Sequence, residues 1–134
     1  GGTLMGVGRR LKEHNPDVKI IAVVPNLGDD IMGLRSVDDG FVPPILDISL
    51  LSGRMVVGTR ESFTAAKKLI HREGIFAGVS SGAVMHCAVR IASKMKKGNV
   101  VALLADSGWK YLSSQLWTTD VIESGDDLNK KLWW

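Results

Sequence analysis

The sequence predicts an α/β fold of three layers, a mostly parallel sheet flanked by helices. Three observations lead there. Apolar runs that read as strands alternate with segments whose apolar residues recur at helical spacing. Two of the runs, residues 18–24 and 100–105, are apolar almost without interruption, as strands covered on both faces are. Glycine, serine and aspartate gather where the runs end, which is where ligands of parallel sheets bind.

The elements follow in order. Residues 1–13 read as a helix start and body, with Leu4, Val7 and Leu11 at helical spacing and Gly8 allowing close packing. Asn15-Pro16-Asp17 stops that helix. The strand at 18–24 ends at Pro25. Residues 26–53 are irregular and rich in Gly, Asp and Pro, and a loop of such length in a compact domain is usually functional or carries short helices. Residues 54–58 form a short strand. Thr59 is expected to cap a helix to about Glu73, whose stripe is Phe63, Ala66, Leu69 and Ile70. A strand at 74–79 and a helix at 81–97 come next, with Val84, Cys87, Ala88, Ile91 and Met95 on one face, which makes Cys87 a core thiol. Gly98-Asn99 ends the helix, the strand at 100–105 follows, and Asp106-Ser107-Gly108 turns the chain.

A chain of 134 residues suffices for one domain with one core, so residues 1–134 are expected to form a single unit. With 45% hydrophobic and 23% charged residues, the composition is that of a soluble globular protein. No apolar run approaches the ~20 residues of a membrane span, so no membrane partner is expected. The net charge of +3 is mild and its lysines and arginines cluster without interleaved aromatics, which argues against nucleic acid as a partner. The single cysteine excludes an intrachain disulfide and a zinc knuckle, and no metal site is expected. It suits a reducing, cytoplasmic setting. The chain opens on Gly1 with no basic leader and no initiator Met, which leads us to expect a piece of a longer protein.

Two places carry chemistry. The stretch Phe76-Ala77-Gly78-Val79-Ser80-Ser81-Gly82-Ala83 runs from a strand through two hydroxyls into a helix. Serine hydroxyls and free N–H groups then converge where a ligand acceptor could sit, although an ordinary serine N-cap has the same pattern. A second helix opens at Gly1-Gly2-Thr3, where bare glycines and a hydroxyl suit an anion.

These two openings, followed by Asp106-Ser107-Gly108-x-x-Tyr111-Leu112-Ser113, resemble in order and spacing the C-terminal half of the cysteine synthase and cystathionine β-synthase family. The members are pyridoxal-phosphate enzymes of fold type II, and the resemblance runs the length of the chain. Residues 34–43, Leu-Arg-Ser-Val-Asp-Asp-Gly-Phe-Val-Pro, resemble the branch called cysteine synthase B or M, in particular members that use O-phosphoserine and take sulfur from a small thiocarboxylated carrier protein.

The resemblance implies the larger part of the C-terminal domain of a fold type II enzyme, with pyridoxal phosphate as cofactor. It assigns Gly1, Gly2 and Thr3 to the cofactor phosphate and Ser80 to its pyridine nitrogen. A neutral hydroxyl at that nitrogen leaves the ring a weaker electron sink than a carboxylate would, which suits β-elimination and nucleophile addition and disfavours transamination. It assigns Arg35 to the substrate's phosphate, which a guanidinium grips bidentately, whereas the residues alone also allow a plain surface arginine. Ser81 and Gly82 are expected to support the turn, and Asp106, Ser107 and Tyr111 to buttress the site without catalysing. No residue of this chain matches the family's cofactor-binding lysine, Lys110 included, so no catalytic residue is assigned.

The whole enzyme is then expected to be a transferase of cysteine biosynthesis. It would replace the β-substituent of O-phosphoserine or O-acetylserine with a sulfur nucleophile, as a homodimer in the cytoplasm. The chain alone is expected to be inactive and to expose apolar sheet surface. A tail at 126–134 is expected to fold over the active site. Two other readings stand beside this one: a related β-replacement or dehydratase enzyme of the same fold, and a non-catalytic interaction fragment.

Overall fold

The computed structural model describes residues 1–113 and 117. The expected tail at 126–134 lies outside the described residues. Helix α1, Gly2–His14, starts at Gly1, whose carbonyl accepts Met5 N–H at 2.9 Å. It buries Met5 and Gly8. A methyl on Gly8 would come within 3.0 Å of Leu50 and 3.4 Å of Ile20, so the glycine sets how closely α1 approaches the loop and the first strand. The helix stops where expected. Asn15 Oδ1 accepts Asp17 N–H at 3.0 Å, and Lys12 Nζ donates to the carbonyls of Pro16 and Val18. A cation at this end also complements the helix dipole.

Strands β1, Ile21–Pro25, and β2, Gly53–Val57, pair in parallel, with Ile21 opposite Gly53 and Pro25 opposite Val57. Ser52 extends the pairing: its N–H donates to Ile20 O at 2.8 Å, and its Oγ accepts Ile20 N–H at 3.2 Å. The connecting segment is irregular, as expected, apart from a 3-10 turn at Ile48–Leu50. Asp47 caps that turn through the N–H and hydroxyl of Ser49, bonds that hold its carboxyl below the usual range. Its own N–H donates to the Met5 sulfur at 3.3 Å, which seats the turn on α1.

Helix α2, Thr59–Glu73, has the expected length but not the expected cap. Gly58 is the N-cap, and the Thr59 N–H donates to Asp29 Oδ2 at 3.1 Å. The carboxylate, shared with Asn26 Nδ2 at 3.0 Å, reaches in from the long loop and does what a threonine hydroxyl would have done locally. Gly74 closes the helix in the left-handed region, at φ 68°. Phe63, Ala66 and Leu69 are buried as expected.

Helix α3, Val79–Ala92, begins two residues earlier and ends five residues sooner than the sequence pattern suggests. Its buried line is Val79, Ala83 and Cys87, one step round from the expected face, and Met95 is exposed beyond the helix end. Cys87 is a core thiol, 1% exposed, and burial pushes its pKa up. Gly82 has a different duty from the expected turn support. A Cβ there would lie 2.1 Å from Ser62 O and 2.8 Å from Ala66 Cβ, so it lets α3 cross α2 almost backbone to backbone.

The fold class agrees with expectation, α/β with a parallel sheet and helices, but two expected strands do not form among the described residues. Residues 74–78 make only a single antiparallel bridge, Ala77 with Ser107. Residues 100–105 join no ladder, and Val101 is 91% and Leu103 51% exposed. A strand needs a neighbour for its N–H and C=O groups, and apolar composition alone supplies none. The core sits elsewhere, where Ile31, Val57, Phe63, Val79, Ala83, Cys87 and Tyr111 meet.

Candidate functional site

Ser80 stands in the first turn of α3, 6% exposed. The N-cap is Gly78 and no side chain caps the helix, so the hydroxyls of Ser80 and Ser81 are not consumed there. This removes the ordinary-cap alternative that the sequence left open. Ser81 Oγ is buried with no hydrogen-bond partner among the described residues. No acidic residue occupies the first turn of α3 itself.

The long loop brings a second element to Ser80. Gly33, at φ +88°, packs directly on it: a Cβ at Gly33 would lie 3.3 Å from Ser80 Oγ and 3.4 Å from Ser80 Cβ. Only glycine takes this backbone shape without strain and also leaves the hydroxyl its room. The loop is anchored on either side, by Ile31, fully buried, and by Ser36, 3% exposed. Asp38 adds an exposed ion pair with Arg54 of β2 at 2.9 Å. Arg35 therefore rides two residues from the contact with Ser80, its guanidinium 5.9 Å from the centre of the Phe41 ring. An aromatic face of this kind holds a guanidinium without neutralising it.

The α1 opening is of another character. Gly1, Gly2 and Thr3 are exposed, and no side chain caps the helix. A Cβ on Gly2 would meet nothing within 4 Å, and the first turn carries no acidic residue. Open, uncapped N–H groups beside bare glycine suit an approaching phosphate. Gly1 rests on Leu46 and Ser80 on Gly33, so the two openings flank different parts of the same long loop.

Opposite the α3 start, the turn at 106–108 buttresses the site. Gly78 N–H donates to Asp106 O at 3.0 Å, and Tyr111 OH donates to Asp106 Oδ2 at 2.7 Å. Burial, then the bond to Asp106, pushes the Tyr111 pKa up to about 12, so the phenol remains a donor at neutral pH. Lys110 lies 3.6 Å from the same carboxylate and points to solvent, 69% exposed. Sequence reasoning missed Gly33 and Asp29. The signal for Gly33 was a glycine set between apolar residues in a loop too apolar there to be plain solvent-facing chain; Asp29 gave none, since its partner is 30 residues away.

The family described as pyridoxal-phosphate dependent enzyme matches residues 1–106. Cysteine synthase from Aquifex aeolicus is 35% identical over 123 residues, covering 88% of this chain and 38% of that protein. Cysteine synthase from Staphylococcus aureus is 34% identical over 128 residues, 90% of this chain and 41% of that protein. The chain thus spans about 40% of the length of these curated relatives. Among solved structures, O-ureido-L-serine synthase superposes with a TM-score of 0.78 at 34% identity, over 94% of this chain and 42% of that one. O-acetyl serine sulfhydrylase isoform 3 from Entamoeba histolytica gives 0.79 at 29% identity, over 98% and 41%. A family match over residues 1–106, most of the chain, makes it a member of the pyridoxal-phosphate dependent enzyme family.

Proposed function

We propose that this chain supplies the Ser80-bearing part of a pyridoxal-phosphate cysteine synthase that replaces the β-substituent of an O-activated serine with a sulfur nucleophile. The observation that carries the reading is Ser80 itself: a residue 6% exposed at the mouth of α3, its hydroxyl unspent on capping, with the Arg35 loop packed against it. The cofactor would supply an electron sink for loss of the β-substituent. Ser80 would bond the ring nitrogen without charging it. Gly1, Gly2 and Thr3 would bind the phosphate through N–H groups and a hydroxyl.

Arg35 would bind the leaving phosphate of O-phosphoserine, with Phe41 holding the guanidinium in line. O-acetylserine offers no dianion for that grip, so O-phosphoserine is the substrate we favour. The lysine that holds the cofactor is assigned to no residue here, and the chain by itself is proposed to be inactive. The homodimer, the small sulfur-carrier partner and the cytoplasmic location belong to the same proposal for the whole enzyme.

The test uses the full-length protein. Arg35→Ala should cost more than tenfold in kcat/KM with O-phosphoserine, the scale of one lost charge-assisted contact, and little with O-acetylserine. Equal losses on both substrates would sink the phosphate role. Ser80→Ala should shift the absorption of the bound cofactor; an unchanged spectrum would sink the ring contact. The similarity to O-ureido-L-serine synthase favours a second reading, β-replacement with a different nucleophile. Turnover with hydroxyurea but not with sulfide would select it. A full-length protein that retains no cofactor absorption fits only a non-catalytic interaction role.

A further inference from the structure

The segment that leads into α3 is held by one clasp. Phe76 O accepts Gly108 N–H at 3.0 Å and the Ser107 hydroxyl at 3.3 Å, while Gly78 N–H donates to Asp106 O at 3.0 Å. Any residue at 106 could supply that carbonyl. The Asp106 side chain contributes something the backbone does not. Its Oδ2 is taken by Tyr111 OH at 2.7 Å, and its Oδ1 is buried with no hydrogen-bond partner among the described residues. That second oxygen lies against the α-carbon of Gly78. A Cβ on Gly78 would sit 2.2 Å from Asp106 Oδ1 and 2.7 Å from Tyr111 Cε2. Carboxylate and phenol ring thus pack together under Gly78, the N-cap of α3, whose carbonyl accepts the Ser81 and Gly82 N–H groups at 3.1 and 3.2 Å. Ser80 is two residues further on.

We propose that Asp106 is a positioning residue: its carboxylate, oriented by Tyr111, is the seat on which Gly78 rests, and through that seat it fixes the Ser80 hydroxyl. An aspartate needs two torsions fixed to hold both oxygens in place, and a single strong bond from a buried phenol fixes them. The fold keeps Oδ1 under Gly78 although it finds no donor there, an arrangement uncommon for a buried carboxylate oxygen. What the oxygen gives is volume and direction. The value of the seat for chemistry rests on the reading of Ser80 proposed above; the seat itself does not.

Amide hydrogen exchange on the full-length protein decides it. Asp106→Ala should speed exchange at Ser81 and Gly82 about tenfold relative to α2, the scale of one lost hydrogen-bonded contact. Asp106→Asn, whose carbonyl can still accept from Tyr111 and whose amide fills the same volume, should restore most of the protection. The cofactor absorption should follow the same order, with Asp106→Ala moving toward the Ser80→Ala spectrum and Asp106→Asn staying at the parent. Unchanged exchange in Asp106→Ala, or Asp106→Asn as fast as Asp106→Ala, overturns the proposal. If Asp106→Ala unfolds the protein, Tyr111→Phe decides instead. It removes one hydroxyl, should loosen the same two amides severalfold, and overturns the seat if it does not. Absent cofactor absorption in the parent would refute the function proposed for Ser80, and the exchange measurement would still judge the seat.

Discussion

The starts of α1 and α3 look alike in sequence, glycine beside a hydroxyl residue at a helix opening, and they are physically opposite. At α1, Gly1, Gly2 and Thr3 are exposed and space surrounds Gly2. At α3, residues 79–83 are all buried and three glycines touch neighbours: Gly78 meets Asp106, Gly33 meets Ser80, and Gly82 meets Ser62. An open start can admit a ligand's anionic arm; a crowded start can aim a side chain. The difference teaches that glycine serves access in one place and close packing in the other.

The sharpest way to break that contrast is to add one methyl group at each. Gly82→Ala puts a carbon 2.1 Å from the Ser62 carbonyl, a backbone atom that cannot step aside. The loss should reach or exceed about 3 kcal/mol, the upper range for overpacking. Gly2→Ala meets nothing, removes glycine's entropy and should be neutral or stabilising by up to about 0.5 kcal/mol. Urea unfolding of both variants checks this, and equal stabilities would dissolve the comparison.

Gly33→Ala comes next. Its φ of +88° is strained for alanine, and the new carbon would press on Ser80 Oγ. About 1–2 kcal/mol should be lost, the cost of left-handed backbone in an ordinary residue. A Gly28→Ala control, at φ +85° with nothing within 4 Å, carries the strain without the contact. Any excess loss at 33 measures the Ser80 contact alone. Smaller again is Asp29→Ala, which strips the carboxylate from the α2 start and should cost about 1 kcal/mol, as helix-cap losses do.

These sites also mark how far the sequence could be read. Local signals were sufficient for α1, for most of α2 and for the Cys87 thiol, since helical spacing and a stop at Asn15-Pro16 are written within a few residues of where they act. The helix that carries Ser80 was legible in kind, though it starts two residues earlier than expected and no strand leads into it among the described residues. What stayed hidden depends on distant partners. Asp29 took the capping duty from Thr59 across 30 residues. Gly82 was read as turn support because its neighbour, the Ser62 carbonyl, is known only once α2 and α3 cross. The strand at 100–105 failed for the converse reason. Its composition signals burial on both faces, but pairing needs a neighbouring backbone, and Val101 meets none among the described residues.

A last expected effect separates the two openings by titration. Tyr111 holds the buttress under α3, and its folded pKa is raised from 10.0 to about 12. A raised pKa means that folding favours the protonated phenol. Its contribution is therefore complete below pH 10 and is lost as pH rises through 12, because the unfolded chain gives up that proton first. No acidic residue lies in the first turn of α1. Thermal unfolding followed across this alkaline window should show stability declining in the parent. Tyr111→Phe, which has no proton to lose, should remove that part of the slope while starting from a lower stability, since the bond to Asp106 is gone. If the slope persists in Tyr111→Phe, the phenol is not the titrating group that distinguishes the crowded opening from the open one.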